Sequence, residues 1–568
     1  MPTALDQAID ATVARLMEND GPLSVTHAEK FGQQLPMLAK APANLRDYFQ
    51  MFCALNADKE FLVDGDIRLT FAESHSAARA LAGGLVQGHG LQVGDRVGIA
   101  ARNSANWIIA YMAVIMAGGV ATLLNGWWQG GELAEGIRMV GCRYVLTDAQ
   151  RAARLEGEDI GGAELLLFEH DKLPLEGLSV LMEKGGDANT ELSALDPLDA
   201  ATILYTSGST GQSKGAWSDH RAVVQGAMSY VGQTLVFFEI MTAMGNGPTM
   251  QPSTLLNVPL FHVTAAVPVL LQSFVIGRKL VMMPKWDAEH AMQLIEKEKI
   301  TYFVGVPLMS IEIATHPNRL KYDLTSCTAF AAGGAPRPVE HVKRIKQEME
   351  WSFPLLGYGL TETNGVGCGN FTENYLAKPD STGPATKPLV DLAILDDAGN
   401  KMPQGERGEV CLRTIANFNG YWENVAATAA AFTSDGYFRT GDIGYLDEDG
   451  YLYIVDRKKD IIIRGGENIS CPEVEAAAYE HAAIAELSVF GIADDRYGEV
   501  PGLVYFTKTG MDLSPDELKA FLQAKLAPFK VPVHFWRVHE PLPRLGTQKI
   551  DRVTLRREYN AKAKELEY

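Results

Sequence analysis

Residues 201–215 read ATILYTSGSTGQSKG, an apolar β-like run that passes into a loop of Gly, Ser and Thr and closes on a lysine. Glycines let backbone N–H groups approach an oxyanion, and Ser207, Ser209, Thr210 and Lys214 add side-chain donors, so the loop has the chemistry of a phosphate cradle. It is not a Walker A loop. That pattern runs GxxxxGK and then Ser or Thr, whereas here Gly208 is followed by Ser-Thr-Gly-Gln and then Ser213-Lys214-Gly215. A plain Gly/Ser-rich turn is the structural alternative, and ten such residues in this order argue against it.

Around this stretch, short apolar runs alternate with helix-period segments. RVGIA (96–100), YVLT (144–147), TLLNVPL (254–260), KLVMM (279–283) and TYFVGVP (301–307) read as strands, and 285–299 as a helix. Such alternation implies α/β layers with mainly parallel sheets. From about residue 390 the texture becomes turn-rich, with Asp-Gly at 435–436 and 449–450, and implies a compact β unit. Beyond Asp460, two helices, one near Pro472 and one opened by Ser514-Pro515-Asp516-Glu517, alternate with strands and read as a small α+β domain. Residues 1–45 read as a helical extension.

The chain has 568 residues, and at roughly 150 residues per domain that suggests three or four units. Its 51 Lys and Arg against 70 Asp and Glu leave a net charge of −19, which repels polyanions and disfavours nucleic acid or an anionic membrane surface as main partner. Hydrophobic content of 46% and charged content of 21% describe an ordinary globular chain. The 54 glycines point to loops where backbone meets ligand. Six widely spaced cysteines give neither a disulfide framework nor a zinc site. Acids among the first residues argue against a signal peptide, and a cytoplasmic location is expected. Residues 107–124 and 255–277 are uncharged over membrane-span lengths, but Gly118-Gly119 divides the first and Pro259, His262 and Pro268 interrupt the second. Buried helix–strand units are expected instead.

TSGSTGQSKG resembles the phosphate-loop signature of the adenylate-forming superfamily, which comprises acyl- and aryl-CoA ligases, peptide-synthetase adenylation domains and luciferases. GGAP (333–336), YGLTET (358–363), RTGD (439–442), DRKKDIIIRGGENISCPEVE (456–475) and PRLGTQKIDR (543–552) look like further motifs of that family in its order. The resemblance covers about residues 46–555. It implies a large N-terminal body of two α/β subdomains with mixed sheets plus a small β-barrel-like subdomain, then a small mobile α+β domain. The expected divisions are an extension at 1–45, an adenylating body at 46–456, a hinge at 457–460 and a C-terminal domain at 461–568.

The resemblance also implies the chemistry, in which a carboxylate and ATP give acyl-AMP and a thiol then displaces AMP. Thr206, Ser207, Gly208, Ser209, Thr210, Gly211 and Lys214 would hold the β- and γ-phosphates. Gly334, Ala335, Pro336 and Tyr358 would enclose adenine, with Gly359 beside them. Thr361 would bond the α-phosphate, Glu362 would hold Mg²⁺, and Asp442 with Arg457 would take the ribose. Lys549 would carry adenylation, as a preorganised cation against the transition state. Its predecessor departs from the family pattern, being Gln548 where glycine is usual. Lys459 would be the hinge, Gly465 and Gly466 would line the thiol tunnel, and Lys530 would contact CoA.

An acyl pocket is implied around helix 226–235, His262, Val304, Gly305, Val306, Ala331, Ala332, Gly333, Val366 and Gly367. His262 resembles a catalytic gate residue between the carboxylate and the thiol tunnel, and the bland alternative is a core histidine bonded to backbone. The lining is apolar and small with no acid to meet a substrate amine, which favours a medium- or long-chain fatty or aryl-alkanoic acid. NGWWQGGEL (125–133) is similar to a stretch of some fatty-acyl-CoA ligases. Expected partners are a small carboxylic acid, ATP with Mg²⁺, and coenzyme A, with self-association, if any, as a homodimer. The alternatives are an adenylating enzyme loading a separate carrier protein and an aryl-CoA ligase of benzoate or cinnamate type. A luciferase-type oxygenase has little support, and nucleotide sensing would predict loss of Lys549 or Glu362, both of which are present.

Overall fold

The apolar runs assemble into two large sheets. The computed structural model describes residues 3–206, 213–334, 337–465, 467–545 and 549–566. One sheet has seven strands, in the order Gly420–Tyr421, Lys214–Asp219, Ala200–Thr206, Val120–Leu123, Arg96–Ala100, Tyr144–Thr147, Glu164–Leu167. The other has eight, in the order Gly367–Phe371, Phe353–Gly359, Ala329–Ala332, Tyr302–Gly305, Ser253–Leu256, Lys279–Met282, Glu60–Asp64, Ile67–Thr70. Both are parallel through the middle and antiparallel toward an end, so they are mixed sheets. Central strands such as Tyr144–Thr147 are buried along their whole length, which explains why they read as unbroken apolar runs.

One core takes in residues of both sheets, including Phe61, Leu62, Ile99 and Leu123, with the aromatic group Tyr48, Phe49, Trp107, Tyr111 and Phe274 between helices. Helix Ala105–Ala117 is buried at every residue and stops at Gly118, whose φ of 91° is a left-handed cap. Strand Val120–Leu123 follows, so residues 107–124 form the expected buried helix–strand unit. Among the described residues no helix is long and apolar enough to cross a membrane.

The β unit is a four-stranded antiparallel sheet of Asp391–Leu395, Gly408–Arg413, Phe438–Leu446 and Leu452–Arg457. Its last hairpin turns at Asp449-Gly450, where Gly450 has a φ of 80°. A further body of structure follows, in which Glu467–Ile469, Ile462–Arg464, Gly498–Thr507 and Ile484–Asp494 form a sheet and His534–Val538 pairs with Gly498–Thr507. It has a core of its own, built on Val474, Leu487, Leu503, Leu518 and Leu522.

The first 45 residues differ from a purely helical extension. Helix Ala4–Met17 is followed by an antiparallel hairpin, Val25–Lys30 with Gln33–Leu38. Val13, Leu16, Leu23 and Leu38 pack on Val236 and Ile240 of helix His220–Ala243. Gln225 of that helix accepts the N–H of Leu38 at 2.8 Å and donates to its carbonyl at 3.1 Å, replacing the strand that an edge would otherwise lack. Asp6 accepts from both Asn374 (2.8 Å) and Tyr451 (2.7 Å), tying the first helix to the rest of the body.

Candidate active site

Strands Ala200–Thr206 and Lys214–Asp219 pair antiparallel with Thr206 opposite Lys214. The Gly/Ser/Thr loop therefore joins two strands, unlike the strand-to-helix loop of a mononucleotide P-loop. Ser207, Gly208, Ser209, Thr210 and Gly211 lie outside the described residues, as do Ala335, Pro336, Gly466 and Gln548. Lys214 places its ammonium 4.8 Å above the ring of Tyr421.

Strand Phe353–Gly359 runs into a short turn, Thr361–Thr363, that carries Thr361 and Glu362. A Cβ on Gly359 would lie 1.9 Å from the Gly365 carbonyl, so only glycine lets this turn fold back so tightly. Glu362 is 9% exposed, and its Oε1 accepts the Tyr421 hydroxyl at 2.8 Å. Burial raises this carboxyl, against the Tyr421 bond and the charges of Arg457 and Lys214. Tyr421 is the site residue that the sequence did not reveal. Its one local signal is the Asn-Gly-Tyr turn at 419–421, which says nothing of a partner so far along the chain.

Asp442 and Arg457 face each other across adjacent strands. Arg457 Nε meets Oδ1 of Asp442 at 2.7 Å, and the Tyr358 hydroxyl donates to Oδ2 at 2.6 Å. Burial raises the Asp442 carboxyl, while Arg457 and Tyr358 hold it down.

Lys549 enters this cluster from the last segment of the chain. A Cβ built on Gly334, whose φ is 76°, would stand 3.1 Å from Lys549 Cε and 3.2 Å from Nζ. The Leu545 N–H donates to the Lys549 carbonyl at 2.8 Å, and Arg544 pairs with Glu486 at 2.7 Å. Burial, reinforced by the charge of Arg457 and opposed by Asp442, pushes the ammonium down to about 8.

His262 accepts the Thr264 N–H on Nδ1 at 3.2 Å, which leaves the proton of the neutral ring on Nε2. Burial and the charge of Lys549 push its pKa down to about 3. The backbone bond expected of a core histidine is thus present, together with nearness to Lys549. Val304 and Gly305 register against Ala331 and Ala332 on neighbouring strands. Val306 begins helix Pro307–Ala314, and Val366 and Gly367 are buried. Gly333 has open space, its nearest neighbours being the Gly357 carbonyl at 3.8 Å and Thr264 at 4.0 Å. Tyr230, on the helix that the sequence assigned to the pocket, donates its hydroxyl to the Gly365 carbonyl beside Val263 and Pro268.

Lys459 lies exposed in the turn after strand Leu452–Arg457, where Asp460 and Ile461 both donate to the Arg457 carbonyl. Beside it, Asp456 is 2% exposed and accepts the N–H of Arg457 and of Cys471, each at 2.7 Å. Burial pushes its carboxyl up to about 7. Gly465 turns a hairpin with a φ of 59°. Its neighbour Arg464 donates to the Phe529 carbonyl at 2.6 Å, which brings Gly465 near Lys530, and Lys530 is itself paired with Glu473 at 2.5 Å.

Comparison with known proteins accords with this geometry. The profile described as AMP-binding enzyme matches residues 49–422, and that of the AMP-binding enzyme C-terminal domain matches residues 473–549. The chain is 32% identical over 512 residues to the long-chain-fatty-acid–CoA ligase of Bacillus subtilis, covering 85% of this chain and 89% of that one. It is 30% identical over 533 residues to the mitochondrial medium-chain acyl-CoA ligase ACSF2 of Rattus norvegicus, covering 88% and 85%. It superposes on ATP-bound MatB from Rhodopseudomonas palustris with a TM-score of 0.81 at 27% identity, covering 91% and 99%. Similarity that spans both the body and the lysine-bearing segment shows that the chain belongs to the AMP-binding enzyme family, as an enzyme of the acyl-CoA ligase kind.

Proposed function

We propose that the chain is an ATP-dependent carboxylate–CoA ligase acting on an apolar medium- or long-chain fatty or aryl-alkanoic acid. The observation that carries this reading is Lys549 set against Gly334 and within the field of Arg457 and Asp442. There its ammonium can draw the substrate carboxylate onto the α-phosphorus, and pyrophosphate leaves as the acyl–phosphate bond forms. Water would screen that attraction, so the lysine's burial strengthens it.

The other groups divide the substrates among them. The hairpin loop from Thr206 to Lys214 suits the β- and γ-phosphates, with Thr361 near the α-phosphate. Tyr358 and the turn at Gly334 suit the base. Each oxygen of Asp442 keeps a lone pair beyond its present bond, enough for the two ribose hydroxyls. Glu362 is a hard-oxygen ligand suited to Mg²⁺, which is commonly held by one or two carboxylates and the substrate's phosphates, not by a protein cage. Consistent with that, no cluster of three or more metal-binding side chains occurs among the described residues. When bound, the ion would neutralise phosphate charge.

In the second half-reaction the CoA sulfur attacks the acyl carbon and AMP leaves. Rotation of the segment beyond residue 460 about Lys459 would withdraw Lys549 and bring Gly465 and Lys530 to the thiol. Small apolar walls at Val304, Ala331, Ala332 and Val366 support an apolar acid, as do relatives named for medium- and long-chain acids. The deciding experiment is CoA-dependent AMP release from C2–C18 and aryl acids. Turnover of short acids or amino acids alone would refute the apolar pocket, and AMP release only with a carrier protein would refute CoA as acceptor.

A further inference from the structure

Lys30 closes the first strand of the N-terminal hairpin, and only 4% of it is exposed. Its ammonium donates to the carbonyls of Ile415 (3.3 Å) and Asn417 and to Oδ1 of Asn419 (3.4 Å). Three donors thus meet three acceptors, the condition under which a buried ammonium is tolerated. All three acceptors lie in one segment, 415–419, with no secondary structure of its own.

That segment holds Glu362 from two sides. The Phe418 N–H donates to the Glu362 carbonyl at 2.7 Å, and Tyr421, three residues on, donates to its carboxylate at 2.8 Å. The segment is further fixed by Asn419 on Asp219 (2.9 Å) and by Asn364 on the Ala416 carbonyl (2.8 Å). The hairpin adds a ring contact of Phe31 on Phe432, 4.2 Å between centroids. Lys30 is the cation that gathers the segment's carbonyls to one point, and without it they would turn outward and Phe418 and Tyr421 would shift with them.

We infer that Lys30 is a positioning residue for Glu362, acting through segment 415–421 to set the carboxylate for the metal-bound triphosphate. The inference rests on the functional reading above, in which Glu362 faces Mg²⁺. It gives the N-terminal extension a part in nucleotide binding, although Lys30 itself touches no substrate.

Calorimetry of ATP binding with MgCl₂ and with EDTA tests it. The wild-type chain should bind ATP more tightly with Mg²⁺. Lys30→Met should remove about tenfold of that Mg²⁺-dependent gain, the scale of one charge-assisted hydrogen bond, and leave binding in EDTA unchanged. Lys30→Arg, which keeps a cationic donor, should restore it. Should Lys30→Met not fold, Lys30→Gln keeps a neutral donor and should lose part of the gain. A double cycle with Tyr421→Phe should show the two losses to be non-additive, because both act through Glu362. An intact Mg²⁺-dependent gain in Lys30→Met, parallel weakening with and without Mg²⁺, or strictly additive losses would each overturn the inference. Wild-type protein that binds no ATP under either condition would bring down the functional reading first, and this inference with it.

Discussion

Tyr358 donates its phenolic hydrogen to Oδ2 of Asp442 across 2.6 Å, and so ties the eight-stranded sheet to the four-stranded one. The bond fixes the direction of a buried carboxylate whose other oxygen is held by Arg457. Removing the phenol leaves the carboxylate charged and less well directed. Tyr358→Phe should raise the KM for ATP about tenfold in ATP–pyrophosphate exchange, the scale of a hydrogen bond to a charged group. Asp442→Asn should cost more, because Arg457 also loses its partner. Unchanged ATP saturation in both variants would remove Asp442 from the ribose site.

Lys549→Ala should lower acyl-AMP formation by about 10²–10³, the usual cost of one preorganised charge donor. Thioester formation from supplied acyl-AMP should persist, and equal loss of both steps would contradict the assignment. Burial and Arg457 push the Lys549 ammonium down to about 8, and the lysine works as the cation, so kcat/KM for adenylation should fall as pH rises through about 8. A pH profile of the exchange reaction reads this directly.

Gly334→Ala should act on the same step without touching the lysine's chemistry. The added methyl would stand 3.1 Å from Lys549 Cε, at a backbone φ of 76° that favours glycine. Displacement of a reacting group by about 1 Å costs up to about a hundredfold in rate. Exchange activity should fall by about tenfold to a hundredfold while thioester formation from supplied acyl-AMP is kept. Full exchange activity in Gly334→Ala would show that Lys549 works from a different position.

Asp456 predicts a pH effect on stability. Its carboxyl is raised in the fold, to about 7, so the folded chain keeps a proton that the unfolded chain has already lost. The stability this contributes is complete below about pH 4 and is lost as pH rises through about 7. Asp456→Asn does not titrate. Its melting temperature should therefore gain on wild type between pH 4.5 and pH 7.5, and a difference constant with pH would show that Asp456 ionises normally.

The residues legible in the sequence are those whose motif is local. YGLTET and RTGD carry Tyr358, Glu362 and Asp442 in short strings, and the buried strands announced themselves because both faces are covered. TLLNVPL is strand only as far as Leu256, and the residues after it bond instead to Asn103, which donates to the Val258 carbonyl and accepts the Leu260 N–H. The N-terminal hairpin is hidden in the sequence because residues 1–45 are rich in Ala and charge, and because Gln33–Leu38 contains Pro36 and takes its second set of hydrogen bonds from a side chain 187 residues away. Tyr421 escaped for a similar reason, being 59 residues from Glu362 with no period or spacing to link them.

The paired hydrogen bonds of Gln225 with Leu38 bear on how such proteins can be recombined. A glutamine there imitates a peptide group, so the hairpin and helix His220–Ala243 form a lock and key made from one sequence. Chimeras that exchange this helix would need to take residues 1–45 from the same parent. A mismatched pair would bare Val236 and Ile240 and leave the Leu38 peptide without a mate.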